Sequence, residues 1–137
     1  LVGGDGQDVL IGATGDDVLS GWRDADTLRG GDGADTYRYA AASHSAPAAP
    51  DAIYGFTPGE DVIDLSAIDA LPGGGDDAFR FIGTDPAPPV GTAGGFGVVS
   101  FDPATGRLVV QIDSDGVADM VILLAGAPAL TEGDLVL

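Results

Sequence analysis

Four consecutive nine-residue repeats occupy residues 3–38, and they restrict the fold more than any other feature of the chain. Glycine recurs at the first position of each repeat, aspartate at the sixth, and a large apolar or aromatic residue at the eighth. Unrelated Asp-Gly turns do not keep three positions in register at once, whereas a repeat architecture does. We therefore expect one small structural unit that is built four times in succession.

Each repeat divides into a glycine- and aspartate-rich turn of six residues and an extended part of three. Glycine tolerates positive φ and leaves room for main-chain carbonyls to converge. The extended parts carry β-branched residues that favour strands, and side chains alternate along a strand, so the middle residue can point inward. These parts are Val9–Ile11, Val18–Ser20, Thr27–Arg29 and Thr36–Arg38. The sequence predicts a short parallel β-roll over residues 1–39 that closes one coil every two repeats.

The spacing of the aspartates suggests a metal. Turns on the same side of the roll are eighteen residues apart, which stacks Asp8 with Asp26 and Asp17 with Asp35. An ion between strands spaced roughly 4.8 Å apart lies within bonding distance of both turns, because Ca²⁺–oxygen distances are about 2.3–2.6 Å. Calcium fits this oxygen-rich site better than magnesium, which is smaller and gives up its water reluctantly. The candidate calcium-binding residues of the repeats are Gly3, Gly4, Asp5, Gly6, Asp8, Gly12, Ala13, Thr14, Gly15, Asp17, Gly21, Arg23, Asp26, Gly30, Asp32 and Asp35.

The repeats are not equivalent. Ala13 replaces the second glycine of the second repeat, and in the third repeat Trp22 and Asp24 replace two glycines. Asp24 can keep the turn, because aspartate enters the left-handed region more readily than most residues. We expect the site framed by Asp17 and Asp35 to be the better formed. Trp22 is interpreted as a packing residue or a partly exposed cover, with ligand stacking as the alternative.

The charge of the chain agrees with a structural cation. The formal net charge is −17, with 22 acidic residues against five arginines and no lysine, although 45% of the residues are hydrophobic. Such a charge repels nucleic acid and opposes compaction unless counter-ions join the fold. The 137 residues suffice for one domain, and the absence of cysteine excludes disulfides and thiolate ligands.

The segment after the repeats carries a more specific pattern. Residues 33–37 read Gly-Ala-Asp-Thr-Tyr, and they are followed by Asp51, Ile53, Phe56, Gly59, Asp61 and the run Ile-Asp-Leu-Ser at 63–66. Together with the nonapeptides, this arrangement resembles the RTX-type C-terminal calcium-binding and secretion domain of serralysin-type (peptidase M10) metalloproteases. One departure is Gly55, where the family pattern often has aspartate before the phenylalanine.

The resemblance implies an all-β fold with a parallel β-roll at 1–39 and an antiparallel, sandwich-like β cap at 40–137, in one continuous domain. It also implies a secreted, extracellular protein with an upstream catalytic or passenger domain. Asp51 and Asp61 could close a calcium site at the end of the roll, or they could cap turns. The acidic and then apolar ending Thr131–Leu137 is similar to a C-terminal type I export signal that the secretion machinery would recognise, although any final strand could look alike.

The cap itself is expected to be antiparallel, because short strands alternate with Gly/Pro/Asp turns. The predicted strands are Phe79–Ile82, Gly97–Phe101, Leu108–Ile112 and Met120–Leu124. We predict a hairpin turn at 102–106, a short helical turn at 67–71 capped by Ser66, and a solvated loop at 40–50 that contains His44. The turn at 113–119, with three aspartates, is interpreted as a hairpin, with a calcium loop as the alternative.

We predict no enzymatic activity for this chain, because a zinc signature, a nucleophile with a base and a phosphate loop are all missing. The alternative function is an RTX carbohydrate- or surface-binding module of an epimerase or adhesin, with a polysaccharide as partner. An exposed row of aromatic and basic residues on the roll would favour it, and the candidates are Trp22, Arg23, Arg29 and Arg38.

Overall fold

The computed structural model describes residues 1–70, 78–83, 97–113, 117–126 and 128–137. Within these ranges the chain forms short strands and two 3-10 turns, Ala42–Ser45 and Glu132–Asp134, and no α-helix, which confirms the all-β class. No helix of the described residues has the length and apolarity to cross a membrane. The strands are β1 Val2–Asp5, β2 Val9–Thr14, β3 Val18–Arg23, β4 Thr27–Asp32, β5 Thr36–Arg38, β6 Asp51–Ile53, β7 Val62–Asp64, β8 Arg80–Phe81, β9 Val98–Asp102, β10 Arg107–Gln111, β11 Met120–Leu124 and β12 Leu135–Val136.

The strands belong to two sheets, and the repeats alternate between them. The order is β1-β3-β5-β7-β12 in the five-stranded sheet and β2-β4-β6-β11-β10-β9-β8 in the seven-stranded sheet. Val9 pairs with Thr27 and Val18 pairs with Thr36, both in parallel. Each coil therefore takes eighteen residues, and the β-roll prediction is confirmed.

The strands of the roll are longer than the sequence suggested. β2, β3 and β4 each have six residues, because positions 1–3 of the next repeat stay in the ladder instead of joining the turn. Ala13 thus pairs with Gly31, and Thr14 pairs with Asp32. The prediction of six turn residues and three strand residues is wrong for these strands. The coils have the same main-chain path, so the hydrogen bonds between neighbouring coils continue through the first three positions of each of these repeats.

Parallel pairing also continues beyond the nonapeptides. Thr27 of β4 pairs with Ala52 of β6, and Thr36 of β5 pairs with Val62 of β7. The third coil is longer than the others, since residues 40–50 are inserted between β5 and β6. The boundary at residues 39 and 40 therefore marks the end of the repeats, and the sheets cross it without a break.

Antiparallel pairing within the described residues is confined to β9, β10 and β11. The predicted turn at 102–106 is present, with the Gly106 N–H donating to the carbonyl of Asp102. This antiparallel unit joins the roll in parallel, since Ile122 of β11 pairs with Asp51. β12 likewise extends the other sheet, where Leu135 pairs with Ile63.

The helical turn predicted at 67–71 is not a helix in its described part. The Ile68 N–H donates to the carbonyl of Leu65 in a simple turn. The capping role falls to Asp64, whose carboxylate accepts hydrogen bonds from the N–H and hydroxyl of Ser66. Leu71, the last residue of that predicted turn, lies outside the described residues.

One apolar core lies between the two sheets. The eighth-position residues Leu10, Leu19, Leu28 and Tyr37 line it at the repeats, and the cluster continues into the antiparallel unit through residues such as Leu108. A fully buried leucine contributes about 1.5–3 kcal/mol over an exposed one. The eighth position of each repeat therefore holds the two faces of the roll together.

Candidate metal centre

The sixth-position aspartates on one side of the roll form a continuous stack, which we call the first aspartate column. It consists of Asp8, Asp26 and Asp51. The Asp8 N–H donates to Oδ1 of Asp26 at 2.8 Å, and the Asp26 N–H donates to Oδ1 of Asp51 at 2.9 Å. Asp51 lies outside the nonapeptides, yet it continues their pattern because β6 forms the next coil.

The opposite side carries the second aspartate column, formed by Asp17, Asp35 and Asp61. The Asp17 N–H donates to Oδ1 of Asp35 at 3.0 Å, and the Asp35 N–H donates to Oδ1 of Asp61, also at 3.0 Å. In both columns each carboxylate thus uses one oxygen to bind the coil beneath it. A carboxylate can bind a further partner only if its second oxygen, Oδ2, accepts no hydrogen bond.

Five of these second oxygens are buried and accept no hydrogen bond from any described residue. They are Oδ2 of Asp8, Asp17, Asp26, Asp35 and Asp51. The Tyr39 hydroxyl lies near the Asp51 carboxylate and interacts with it, but the two groups do not reach hydrogen-bonding geometry. Asp61 differs, because its Oδ2 accepts the Thr57 N–H at 2.8 Å. The first column therefore has a free oxygen at its last aspartate, and the second column does not.

The environment of the columns disfavours negative charge. Burial raises the pKa of Asp26, and the charges of Asp8 and Asp24 raise it further. Burial also raises the pKa of Asp51 to about 7. In the second column, burial and the neighbouring charges of Asp61 and Asp17 raise the pKa of Asp35. A cation placed among these groups would reverse the unfavourable balance.

The first-position glycines leave the space into which the free oxygens point. A Cβ on Gly12 would lie 2.5 Å from both Asp17 Oδ2 and the carbonyl oxygen of Gly30. A Cβ on Gly3 would lie 2.6 Å from Asp8 Oδ2 and 2.8 Å from the carbonyl oxygen of Gly21. A carboxylate oxygen and a carbonyl oxygen of the next coil therefore converge beside Gly3 and Gly12.

The second and fourth positions of all four repeats have positive φ, including the positions without glycine. Ala13 has φ 87°, Trp22 has φ 83° and Asp24 has φ 74°. The repeat geometry is thus imposed on residues that disfavour it by roughly 1–2 kcal/mol each. Asp24 keeps its turn, as predicted, and its Oδ2 accepts the N–H of Gly6.

Third-position side chains do not enter the columns. Asp5, Thr14, Arg23 and Asp32 are all exposed on their strands, so they could offer only main-chain oxygens. Among the described residues, no three acidic or histidine side chains form a group able to hold a metal alone. The site therefore combines paired carboxylates with carbonyl oxygens, and this all-oxygen set suits calcium, which takes about six to eight oxygens.

Trp22 and His44 pack together on the outside of the roll. Their rings are stacked at 5.8 Å between centroids with an angle of 24°, and Trp22 is 49% exposed. Trp22 thus fits the interpretation as a partly exposed cover. The prediction that His44 is solvated is wrong, because the loop folds back against β3, and burial lowers the pKa of His44.

The basic and aromatic residues considered for a glycan do not form one row. Trp22 and Arg23 lie on β3 and Arg38 lies on β5, but Arg29 lies on β4 in the other sheet. Arg38 is also close to a carboxylate, with its Nε 3.6 Å from Asp64 Oδ2. Successive strands of the roll belong to different sheets, so residues that are close in the sequence, such as Arg23 and Arg29, lie on different faces of the roll.

Several residues that support the columns were not identified from the sequence. The Ser45 hydroxyl accepts the Asp51 N–H and donates to the carbonyl of Val121. Asp16 accepts the N–H of Ala34 and so ties two turns together. The eighteen-residue spacing could have indicated Asp16, whereas the Ser45 contacts span a long insertion that has no periodicity.

At the described end of the 113–119 segment, the Asp119 carboxylate is bound to the main chain. Asp119 Oδ2 accepts the Ile112 N–H at 2.7 Å, an arrangement that agrees with the interpretation as a hairpin. Asp115 lies outside the described residues. At the end of the chain, Asp134 is 1% exposed and accepts hydrogen bonds from Gly59 and Thr131, so the segment 131–137 is docked on the roll.

Stacked parallel coils with inward apolar residues and columns of aspartate define an RTX-type β-roll module. The model of the family Peptidase M10 serralysin C terminal matches residues 1–137, and the chain belongs to this family. None of the curated proteins compared with the chain matches it.

A solved structure supports the same fold. It is the solution structure of the AlgE6R3 subunit from the Azotobacter vinelandii mannuronan C5-epimerase. The two chains share 30% identity with a TM-score of 0.62, over 99% of this chain and 71% of that one. RTX families generally bind calcium, and the matched family is a C-terminal module and not a catalytic domain.

Proposed function

We propose that this chain is a calcium-dependent folding and stabilisation domain that also serves type I export. It would stand at the C-terminus of a secreted bacterial protein, of which a serralysin-like metalloprotease is the favoured parent. The observation that carries the proposal is the set of five buried carboxylate oxygens that no described residue reaches with a hydrogen-bond donor. In a chain with net charge −17, these oxygens need a cation to make the folded state favourable.

Calcium, when bound, would supply the positive charge that the columns lack. Asp8, Asp26 and Asp51 would hold it on one side and Asp17 with Asp35 on the other, helped by carbonyls such as those of Gly21 and Gly30. Asp61 would support Asp35 without contacting the ion, since both its oxygens accept N–H groups. Trp22 and His44 would shield one turn region from water.

The export role follows from linkage. A ligand that binds only the folded chain stabilises it in proportion to the logarithm of its concentration. Cytosolic calcium is too low to fill such sites, so the chain would remain loose enough for a type I transporter. Outside the cell, calcium near 10⁻³ M, in the range of about 10⁻⁴–10⁻³ M typical of extracellular sites, would fold the domain and retain it there.

A calcium titration followed by circular dichroism and thermal melting tests the proposal. We expect the β signal and the melting temperature to rise with calcium and to change much less with magnesium, because the site is built for a larger ion. Asp35→Asn is the matched variant, since it retains an oxygen for the Asp17 N–H but loses the charge. Unchanged melting after complete calcium removal would contradict the proposal.

A second candidate function, polysaccharide binding, is favoured by the similarity to a module of a mannuronan epimerase. Trp22 and Arg23 are its best candidates, because they are adjacent on β3 and both exposed. Binding to a uronate polymer should be measured with and without calcium, using Trp22→Ala as the probe. Tyr54→Ala is the control, since Tyr54 is equally exposed and directly follows β6 of the other sheet. Equal retention of binding by both variants would exclude this surface.

A further inference from the structure

The segment Thr131–Leu137 is held on the roll by the buried carboxylate of Asp134, by the pairing of β12 with β7 and by the burial of Leu135 in the core. Asp134 Oδ1 accepts the Gly59 N–H at 2.6 Å, and its Oδ2 accepts the N–H and hydroxyl of Thr131 at 2.7 and 2.8 Å. The strand that follows has only two residues, and its Val136 carbonyl accepts the N–H of Leu65. So short an edge strand makes few hydrogen bonds of its own, so the Gly59–Asp134 hydrogen bond is a large part of its polar contact with the roll, beside the burial of Leu135.

The partner of Asp134 belongs to a small turn that also closes the second aspartate column. Within Thr57–Asp61, the Asp61 N–H donates to the Thr57 carbonyl, and Asp61 Oδ2 accepts the Thr57 N–H. Asp61 Oδ1 accepts the N–H of Asp35, whose own Oδ2 is one of the free oxygens. One turn therefore connects a candidate calcium ligand with the final segment.

In the described part of the chain, the hydrogen bonds of the first aspartate column lead elsewhere. Its last member, Asp51, is bound through its N–H to Ser45, which in turn donates to Val121 of the antiparallel unit. The two columns are thus alike in the repeats and differ in what they support beyond them. This difference allows the effect of one column on the final segment to be measured against the other.

We propose that Thr131–Leu137 is a releasable strap, docked when the second aspartate column is filled by a cation and loosened when that column is empty. Removing the cation leaves Asp17, Asp35 and Asp61 to repel one another, which displaces Asp61 and opens the Thr57–Asp61 turn. The Gly59 N–H then no longer meets Asp134. If the segment also carries the export signal, as the proposed function holds, folding of the roll would hide that signal from the transporter.

Hydrogen–deuterium exchange on the full chain in saturating calcium tests the strap directly. We expect Asp134→Asn to raise exchange in peptides covering 56–65 and 128–137 by about tenfold or more, because the amide removes the charge that strengthens the Gly59 hydrogen bond and replaces the oxygen that accepts from Thr131 by a donor. Exchange in β9 and β10 should not change. Glu132→Gln is the control, since Glu132 is exposed in the same segment. Equal exchange in Asp134→Asn and the control would overturn the strap.

The coupling is tested with one substitution in each column. Asp35→Asn should raise exchange of the strap clearly more than Asp26→Asn, although both lie at the sixth repeat position. Equal effects, or no effect of Asp35→Asn while calcium affinity falls, would overturn the coupling. If Asp134→Asn does not fold, Thr131→Val removes one hydroxyl contact and should give a smaller increase in the same peptides.

Export is measured separately in a bacterial host with a type I transporter. Loss of export on deleting residues 131–137, together with calcium-dependent strap protection, would support both proposals. If the deletion leaves export unchanged while the exchange pattern is as expected, the strap proposal is kept and the segment has no role in export. If deletion impairs export but Asp35→Asn leaves exchange of the strap unchanged, the export role of the segment is kept and the coupling to the second column is refuted.

Discussion

The repeat coils and the antiparallel unit use aspartate in opposite ways. In the coils, Asp17 and Asp35 each leave one buried oxygen without a donor. In the antiparallel unit, Asp102 accepts hydrogen bonds from Ala104 and Thr105, and these bonds hold its pKa below the usual value. Asp119 likewise accepts from Ile112. Within the described residues, the carboxylates Asp102 and Asp119 of the antiparallel unit are thus bound by main-chain donors, whereas Asp17 and Asp35 keep an oxygen available for a further partner.

The largest expected effects come from the shared core. Leu28 in the coils and Leu108 in the antiparallel unit are both fully buried, and each substitution to alanine should cost about 2–5 kcal/mol of unfolding free energy in calcium. Without calcium, Leu108→Ala should keep its cost and Leu28→Ala should lose most of it, because the coils are then already loosened. Chemical denaturation in calcium and in chelator measures both. Equal costs in both conditions would show that the two regions unfold as one unit.

The next effect separates the two kinds of carboxylate. Asp35→Asn should lower stability in saturating calcium by about 2–3 kcal/mol, the linkage expected for one ligand at about 100 times its Kd. In chelator the same substitution should be neutral or stabilising, since it removes a buried charge that Asp17 and Asp61 repel. Asp102→Asn is the control, and its smaller effect should not depend on calcium. If the effects of Asp35→Asn and Asp102→Asn depended on calcium to a similar degree, the two carboxylates would not differ in their need for a cation.

The pH dependence should change sign with calcium. Burial raises the pKa of Asp51 to about 7 and also raises those of Asp26 and Asp35, so the metal-free folded state binds protons that the unfolded chain releases. Metal-free stability is therefore greater near pH 5 and decreases as the pH rises through about 7, the pKa of folded Asp51. With calcium the protein should be more stable at pH 8 than at pH 5, because the carboxylates must be ionised to bind the ion. Thermal melting at pH 5 and pH 8 measures this, and Asp51→Asn should flatten the metal-free slope.

The smallest effect concerns the imposed backbone of the repeats. Ala13 has φ 87°, and Ala13→Gly should stabilise the protein by up to about 1 kcal/mol, because relief of the left-handed strain exceeds the entropy that glycine loses. Ala34, an exposed repeat residue outside the positive-φ positions, is the control, and Ala34→Gly should be slightly destabilising. Destabilisation by both substitutions, in calcium, would mean that the repeat does not strain Ala13.

The features that the nine-residue period sets were predicted correctly from the sequence. The all-β class, the eighteen-residue coil and the inward leucines follow from local spacing, since identical units stack in only one register. The pairing of Asp8 with Asp26 and of Asp17 with Asp35 follows for the same reason. Outside the repeats the period gives no guide, and His44 was wrongly assigned to solvent. Inside them the period fixed the register but not the strand length, since β2, β3 and β4 have six residues instead of three.

The repeats at the start of the chain therefore determined by themselves that it forms a roll with two rows of carboxylates. The tertiary structure decided how each row ends. Asp51 and Asp61 join the columns at separations of 25 and 26 residues instead of eighteen. Whether a carboxylate oxygen is free depends on which N–H the fold brings to it, and Thr57 reaches Asp61 while no described donor reaches Asp51 Oδ2. Such long-range contacts leave no periodic trace in the sequence.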